Sequence, residues 1–275
     1  MKYTILSSDE IDSIKDFLGD DDYEGFVNNP LRYAVCAVDN NRLCGVGIFD
    51  AKKIAEILDI IVVDDKRGKL EKHILNKITA VCDTLSCDGV TMDVYDEDGV
   101  LFYDEILSKQ GFVHVSASTI YRFDLSDLDY NPILSKASPG KNIISLYDVP
   151  DHMKKVFSNE LIRSGAYDHF MSGDHDPLMS VVSINDDTIT GCVLVDDLQD
   201  EDGFELAYLY SKKSAGPANI VNMLASALDN VYDRYADLPD AVGYITAINQ
   251  VSDGLVKKVL PAAQIDDHIN RYARV

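Results

Sequence analysis

The feature that most constrains this sequence is an internal repeat. Residues 31–50 and 178–197 each contain two apolar runs separated by a turn rich in Asp and Asn, which is typical of a β-hairpin. Identical residues recur between the two hairpins at a constant spacing of 146 positions: Val35 and Val181, Gly45 and Gly191, and Asp50 and Asp196. A repeat of this length indicates a duplicated fold unit.

The elements that follow each hairpin also correspond. An apolar strand carries Glu56 in the first half and Glu205 in the second, and a predicted amphipathic helix comes next. The helical stripes consist of Leu70, Ile74, Ile78, Val81 and Leu85 in the first half, and Leu224, Ala227, Leu228 and Val231 in the second. A further strand, a helix and an extended closing segment complete each half, so both halves are predicted to be mixed α/β.

The predicted domain boundary lies in residues 126–142, a segment rich in Ser, Pro and Asn without a clear period. We therefore expect an N-terminal domain over 1–125, a linker over 126–142 and a C-terminal domain over 143–275. The length of 275 residues agrees with two domains of ordinary size.

Composition narrows the class of protein. No apolar run approaches the roughly 20 residues that span a bilayer, and the N-terminus turns acidic without the pattern of an export signal. The five cysteines are an odd number and most have apolar neighbours, which favours a reducing, cytoplasmic setting. A net charge of −22 repels nucleic acids and anionic membranes, so neither is an expected partner.

The sequence resembles the GNAT superfamily of CoA-dependent N-acyltransferases. The order of elements is that of the family, and residues 55–75 are similar to its fourth strand and acyl-CoA loop, with Arg67 and Gly68 at consensus positions. Gly111 and Phe112 match a later Gly-Phe signature. The resemblance covers most of 1–125 and, mainly through the repeat, 143–275. It implies two GNAT-like domains in tandem, each a mostly antiparallel mixed sheet flanked by helices.

The resemblance implies acetyl-CoA as co-substrate and no metal. The pyrophosphate would lie at a helix N-terminus, where backbone N–H groups and the helix dipole favour an anion. Leu70 and Lys72 occupy the two positions where the family has small residues, and Leu70 is alternatively a core residue. In the first half, the residues expected to contact the cofactor are Ile60, Ile61, Val62, Arg67, Gly68, Lys69 and Lys72.

Charge and loop chemistry add to these expectations. Residues 52–77 contain seven basic and five acidic side chains, a positive island that would suit an anionic cofactor or simply a solvated helix face. In the second half the equivalent loop offers Ser211 and Gly216, and Asn249 stands where the family often has Asn. That loop lacks the family consensus, and an ordinary strand-to-helix connection is the alternative interpretation.

In the family, the acceptor amine must lose a proton, and a carboxylate near the fourth strand, often acting through water, commonly serves as general base. Glu56 and Glu205 match that region, and the alternative for each is a solvated strand residue. The family's usual tyrosine, which protonates the leaving thiolate, is replaced by Leu107 and Val256. Tyr103, one turn earlier, is the remaining candidate, although an aromatic residue on a helix is often a packing residue.

One polar cluster precedes the second hairpin. Its members are Asp168, His169, Asp174, His175 and Asp176. Their spacing matches no strong zinc motif, so a substrate-contacting loop or a plain polar loop is the preferred interpretation.

Two functional hypotheses follow from the resemblance. The first is an acetyl-CoA-dependent N-acetyltransferase that acts on a small-molecule amine by direct transfer in a ternary complex. The alternative is a catalytically inactive GNAT-like pseudoenzyme that binds a metabolite or a protein. The degenerate loops and missing tyrosines favour the alternative, whereas a backbone-lined cofactor cleft depends little on side chains and favours the enzyme. The oligomeric state is not indicated.

Overall fold

A computed structural model describes residues 1–18, 20–63, 68–95, 100–128, 131–163, 170, 175–198, 203–216, 218–238 and 240–275, with backbone only for 20–22 and 162–163. The chain forms two compact units. The first unit contains Met1–Ala117 and His268–Val275, and the second contains Ser118–Asp267. Within the described residues, no helix is both long enough and apolar enough to cross a membrane.

The first unit has six strands in the order β1-β2-β3-β4-β5-β12, and only β4 and β5 are parallel neighbours. The strands are β1 (Lys2–Ser7), β2 (Arg32–Asp39), β3 (Arg42–Asp50), β4 (Ile54–Val62), β5 (Gly89–Tyr95) and β12 (Gln264–Arg274). The helices are α1 (Asp20–Asn28), α2 (Leu70–Thr84) and α3 (Val100–Ser108). One apolar cluster joins the sheet to α2 and α3, and a second lies under α1 and a 3-10 helix, so both faces are covered.

The second unit has the corresponding order β6-β11-β10-β9-β8-β7, with β10 and β11 parallel. Its strands are β6 (Val113–Asp124), β7 (Ile143–Ser145), β8 (Val181–Asn185), β9 (Thr188–Leu198), β10 (Gly203–Ser211) and β11 (Val242–Ala247). Its helices are α4 (Asp151–Arg163), α5 (Ala218–Arg234) and α6 (Gln250–Val259). Helices α5 and α6 pack on one face and α4 on the other. The predicted fold class, a mostly antiparallel mixed arrangement of strands flanked by helices in each unit, is confirmed.

The hairpin repeat is present in three dimensions. Ala37 pairs with Gly45 and Ser183 with Gly191, and the register shifts immediately after each of these pairs. The turn residues Asn40, Asn41, Asp186 and Asp187 all have positive φ. Asn and Asp tolerate this conformation, and two such residues give the tight turn that suits a two-stranded hairpin.

The repeated glycines lie beneath the main helix of each unit. A Cβ on Gly45 would lie 2.9 Å from Cδ1 of Ile74 on α2, and one on Gly191 would lie 2.7 Å from Cε of Met223 on α5. Glycine therefore recurs at this position of the repeat because the helix packs closely on the sheet there.

The predicted helical stripes are confirmed for the most part. Leu224, Ala227, Leu228 and Val231 of α5 are all buried. In α2, Leu70, Ile74 and Ile78 are buried, but Leu85 lies just beyond the helix end and is exposed. Leu85 was wrongly included because α2 ends at Thr84, and Cys82 takes the last buried position instead.

Each half of the sequence gives its closing strand to the other unit. Residues 119–124 of β6 pair with β11, and residues 269–274 of β12 pair with β5. The expected domains 1–125 and 143–275 follow the order of the chain and do not include this exchange. The reason is physical: an alternating strand pattern specifies which face is buried but not which neighbouring strand supplies the hydrogen bonds.

The expected linker is packed onto the second unit. Leu128 and Leu134 contact the apolar cluster beneath α5 and α6. Asn131 is buried, donates a side-chain hydrogen bond to the carbonyl of Val259, and accepts hydrogen bonds from two backbone N–H groups of its own turn. In the described part of 126–142, the chain therefore contributes to the core of this unit.

Candidate active site

The central parallel strands of each unit pair briefly and then separate. In the first unit, β4 and β5 pair from Ile54 to Ile57, and in the second, β10 and β11 pair from Gly203 to Glu205. Beyond Ile57 and Glu205, the printed pairing between these two parallel strands ends within the described chain. Each unit therefore has a point at which its parallel ladder stops before the strands themselves end.

A β-bulge marks each point of separation. Leu58 is the extra residue in β4, and Leu206 and Ala207 stand opposite a single residue of β9. A bulge bends a strand and increases its twist, which accounts for the divergence at these positions. The predicted cofactor residues Ile60, Ile61 and Val62 all lie in the separated part of β4.

The loop before α2 already holds a negative group. Gly68 has φ +85°, and its backbone N–H donates to Oε2 of Glu71 at 2.6 Å. Glu71 is only 2% exposed, so its carboxylate reaches the Gly68 amide from inside the protein. A second anion would meet the same charge at the same amide, which argues against a pyrophosphate in the first unit.

The other predicted residues of this loop have separate positions. Leu70 is buried in the core, as its alternative interpretation suggested, whereas Lys69 and Lys72 are exposed. Lys69 is the N-cap residue of α2 and makes no side-chain capping bond. Arg67 lies outside the described residues.

We expect Glu71→Ala to lower the free energy of unfolding by about 0.5–2 kcal/mol, as the loss of a helix-capping side chain does. The reason is that the Gly68 N–H at the start of α2 would lose its acceptor. Urea denaturation measures the change. Glu71→Gln is the matched control because its amide oxygen still accepts, and equal stability of the alanine variant and the wild type would contradict the assigned capping role.

The loop before α5 is different. Gly216 has φ +80°, and a Cβ at this position would meet nothing within 4 Å. Ser211 accepts a hydrogen bond from the buried Asn219 amide at 3.0 Å, and Lys212 pairs with Glu160 at 2.6 Å. No carboxylate bonds the backbone of 211–216 or 218–219 among the residues that the structure describes. The described part of this loop therefore lacks the contact between a carboxylate and a backbone amide that Glu71 makes before α2.

Two carboxylates lie side by side in each unit where the parallel strands separate. In the first unit, Asp50 of β3 is directly opposite Glu56 of β4. Arg32 binds Asp50 through two nitrogens at 2.8 and 3.3 Å, and Lys52 lies 3.4 Å from both carboxylates. Burial opposes ionisation of Asp50, but the hydrogen bonds and charges of Arg32 and Lys52 outweigh it and hold its pKa below the ordinary value.

In the second unit, the equivalent pair is Asp196 of β9 and Glu205 of β10. Nδ1 of His175 is hydrogen-bonded to Asp196, and the His175 side chain is only 6% exposed. Burial raises the pKa of Glu205 above its ordinary value, and the charge of Asp196 raises it further. A hydrogen bond with Thr246 and the charge of His175 act in the opposite direction without cancelling the rise.

The two glutamates therefore differ in chemistry although they occupy the same position in the repeat. Lys52 neutralises the surroundings of Glu56, while Glu205 is a desolvated carboxyl group beside a second acid. A carboxylate with a raised pKa is a stronger base than an ordinary surface carboxylate. Glu205 has this raised pKa at the point where the pairing of β10 with β11 ends.

The stability of the second unit should reveal this desolvation. Because the folded state binds the Glu205 proton more tightly than the unfolded chain, stability should fall as the pH rises from the ordinary glutamate range through the raised pKa. Glu205→Gln should remove this pH-dependent part of the free energy of unfolding, and the variant should be more stable than the wild type at neutral pH. Urea midpoints measured against pH test this, and parallel pH profiles for the two proteins would contradict it.

Tyr103 and Asn249, the remaining predicted site residues, both make contacts with their own helices. Tyr103 is half-buried against the core of the first unit, with its ring 5.3 Å from that of Phe102 in an edge-to-face contact. Leu107 and Val256, at the positions of the family's tyrosine, are buried. Asn249 is the N-cap residue of α6, where its side chain accepts from the N–H groups of Val251 and Ser252 at 2.9 and 3.0 Å.

The polar cluster before the second hairpin is only partly described. Asp168, His169 and Asp174 lie outside the described residues. Asp176 accepts two backbone hydrogen bonds of its own turn, at 2.8 and 2.9 Å, while His175 reaches Asp196. No group of three or more metal-ligating side chains occurs within the part of the chain that the structure describes.

Sequence reasoning found Glu205 but missed its partners. Asp196 was visible as the repeat of Asp50, and His175 as a member of the polar cluster, yet nothing in the sequence joined them. The signal that was available is the repeat itself, since a strand position that carries Asp in both hairpins faces the same side of both sheets.

Comparison with solved structures establishes the fold. A tandem GNAT protein from the clavulanic acid biosynthesis pathway matches with a TM-score of 0.69 and 10% identity, covering 99% of this chain and 98% of that one. A GCN5-related N-acetyltransferase from Sphaerobacter thermophilus matches with a TM-score of 0.66 and 12% identity, covering 92% and 83%. No family model and no curated protein sequence matches.

A third match is to a fungal multidomain protein. It contains a GCN5-related glucosamine N-acetyltransferase region, and the TM-score is 0.73 at 13% identity, over 99% of this chain and 38% of that one. The chain therefore has the fold of the tandem GNAT protein, as the sequence resemblance implied, and the other two matches are to GCN5-related proteins of similar fold. Identities this low concern the fold alone.

Proposed function

We propose that this protein is an acetyl-CoA-dependent N-acetyltransferase whose reaction takes place in the second unit. The observation that carries the proposal is the position of Glu205. It is the last residue of β10 paired with β11, it adjoins the bulge, and burial and Asp196 raise its pKa. A desolvated base at the mouth of a strand separation suits the deprotonation of an amine.

The second unit also fits the cofactor. The pairing of β10 with β11 ends at Glu205, where an extended pantetheine chain would lie beside β10, and the loop containing Gly216 leads to the N-terminus of α5 without an internal carboxylate among its described contacts. When bound, acetyl-CoA supplies an acyl thioester. The amine nitrogen forms the amide bond as the carbon–sulfur bond breaks and the sulfur leaves as a thiolate.

The residues of this chain then have defined roles in the proposal. Glu205 accepts a proton from the amine, and Asp196 keeps the proton affinity of Glu205 high. His175 is a positioning residue, because its bond to Asp196 fixes that carboxylate beside the base. The backbone beyond the bulge orients the thioester, so a side-chain consensus is not required there.

The first unit is proposed to be the inactive one. The Glu71 carboxylate accepts from the Gly68 N–H, and Lys52 and Arg32 form ion pairs with Asp50 and Glu56, so the groups that would contact the cofactor and the amine are already engaged within the protein. These contacts favour the pseudoenzyme hypothesis for this unit alone, as a fold retained after the loss of cofactor chemistry.

The direct test is an assay of thiol release. Purified protein is incubated with acetyl-CoA and each member of a broad panel of amines, and free CoA is measured with a thiol reagent. Release that depends on the amine is expected, together with the acetylated amine in the mass spectrum. The absence of amine-dependent release across the panel would overturn the proposal.

A further inference from the structure

Helix α2 ends with a left-handed turn that brings two residues together. The backbone N–H of Cys87 donates to the carbonyl of Cys82 at 3.0 Å, and that of Ser86 donates to the carbonyl of Asp83 at 3.3 Å. Ser86 has φ +60°, the left-handed conformation that closes many helices. In this arrangement, the side chains of the residues joined by the outer of the two bonds often contact each other.

The residues joined by the outer bond are both cysteines, and both are free thiols. Cys82 is 1% exposed, while Cys87 is partly exposed and packs against the same apolar cluster. Burial raises the pKa of Cys82 to about 12, and the charge interaction and hydrogen bond with the Cys87 thiol contribute to the rise. The end of α2 therefore places two thiols side by side.

The other three cysteines lie elsewhere in the fold, and all of them are buried. Cys36 and Cys44 are on neighbouring strands but belong to the two apolar clusters on opposite faces of the sheet. The Cys44 thiol donates to the carbonyl of Arg42 at 3.4 Å. Cys192 is the single cysteine in the sequence of the second unit. The pair that the local backbone holds together is therefore the one at the end of α2.

The two thiols of this pair differ in access. Cys87, in the connection between α2 and β5, is partly open to solvent, whereas Cys82 is enclosed by the core of the first unit. A cysteine exchanges with a disulfide through its thiolate, and only where the disulfide can reach it. Burial keeps the Cys82 thiol protonated, so a reagent from solution meets Cys87 first. Cys82 is then positioned to react at the neighbouring sulfur.

We propose that Cys82 and Cys87 are a thiol modification site, which a low-molecular-weight disulfide converts into a reversible bond between the two. The Cys87 sulfur attacks one sulfur of the small disulfide, whose S–S bond breaks, and one small thiol leaves with the Cys87 proton. The Cys82 sulfur then attacks the Cys87 sulfur, and the second small thiol leaves with the Cys82 proton. The protein loses two hydrogen atoms, the small disulfide becomes two thiols, and excess reductant reverses both steps. Neither step involves the residues assigned to acetyl transfer.

Oxidised glutathione is the probe for this exchange. The reduced full chain is incubated with an excess of it, the remaining thiols are alkylated in denaturant, and the intact mass and the proteolytic peptides are measured. Cleavage before Asp83 separates the two cysteines, so linked peptides report the bond directly. In the wild type we expect the loss of two hydrogen atoms, alkylation of three of the five cysteines, and a link between Cys82 and Cys87. Dithiothreitol should restore all five alkylatable thiols.

Two alanine variants separate the roles of the thiols. Cys82→Ala should retain one glutathione on Cys87, because the sulfur that displaces it is absent, and Cys87→Ala should leave Cys82 unmodified in the folded protein. Cys36→Ala is the matched control, since it removes a buried thiol of the same unit and should form the bond as the wild type does. Circular dichroism establishes that each variant is folded. A wild type that keeps glutathione on Cys87, links either cysteine of the pair to another one, or retains five free thiols would overturn the proposal.

Discussion

Replacing Glu205 with Gln is expected to lower the rate of acetyl transfer about 100- to 10,000-fold, the range over which a general base contributes. The side chain keeps its size and still accepts a hydrogen bond, but it can no longer take a proton from the amine. The same burial and Asp196 charge that raise the pKa of Glu205 account for its strength as a base. Initial rates at saturating acetyl-CoA and amine measure the effect.

The first unit provides the internal control for this experiment. Glu56→Gln changes the equivalent position of the repeat, but Glu56 is paired with Lys52 and its unit has Glu71 in the cofactor loop. The rate of acetyl transfer should therefore stay close to that of the wild type. A large loss of activity in Glu56→Gln together with full activity in Glu205→Gln would place catalysis in the first unit and contradict the proposal.

Replacing Tyr272 with Ala is expected to have the largest effect on stability, a loss of about 3–5 kcal/mol in the free energy of unfolding. Tyr272 of β12 is 3% exposed, pairs with Met92 of β5 and packs its ring 5.4 Å from that of His114. Although it is among the last residues of the chain, its contacts belong to the first unit. Urea denaturation gives the change in stability.

Hydrogen exchange locates this loss within the chain. Because β12 completes the first sheet, protection should decrease in β4 and β5 rather than in β9 and β10. Tyr147→Ala is the matched control, since Tyr147 is 68% exposed and its removal leaves no cavity. Decreased protection confined to the second unit would show that the strand exchange is wrong.

The repeat made much of the fold predictable from the sequence. The hairpins, their turns and the α5 stripe follow from local patterns, namely alternation along strands, Asn and Asp where φ is positive, and apolar residues at helical spacing. The exchange of β6 and β12 could not be predicted in this way. Every strand offers the same backbone N–H and C=O groups, so the sequence of a strand does not specify which neighbour it pairs with.

The site was predictable in part for a related reason. Alignment on the repeat and the family resemblance singled out both Glu56 and Glu205, but could not distinguish them. The distinction depends on Lys52 folding back onto one pair and on burial of the other, and both are tertiary effects. Likewise, Leu70 and Lys72 indicated a modified loop from the sequence. The contact that distinguishes it is the bond from the Gly68 N–H to Glu71, the residue between them, and the sequence did not reveal it.

The location of the cofactor is the central claim, and hydrogen exchange with and without acetyl-CoA tests it most directly. Binding in the second unit predicts new protection in residues 206–222, which comprise β10 beyond its pairing with β11, the following loop and the start of α5, and no change in residues 58–74. Protection of residues 58–74 with none in 206–222 would contradict the account, because the site would then lie in the unit whose Gly68 amide is bound by Glu71.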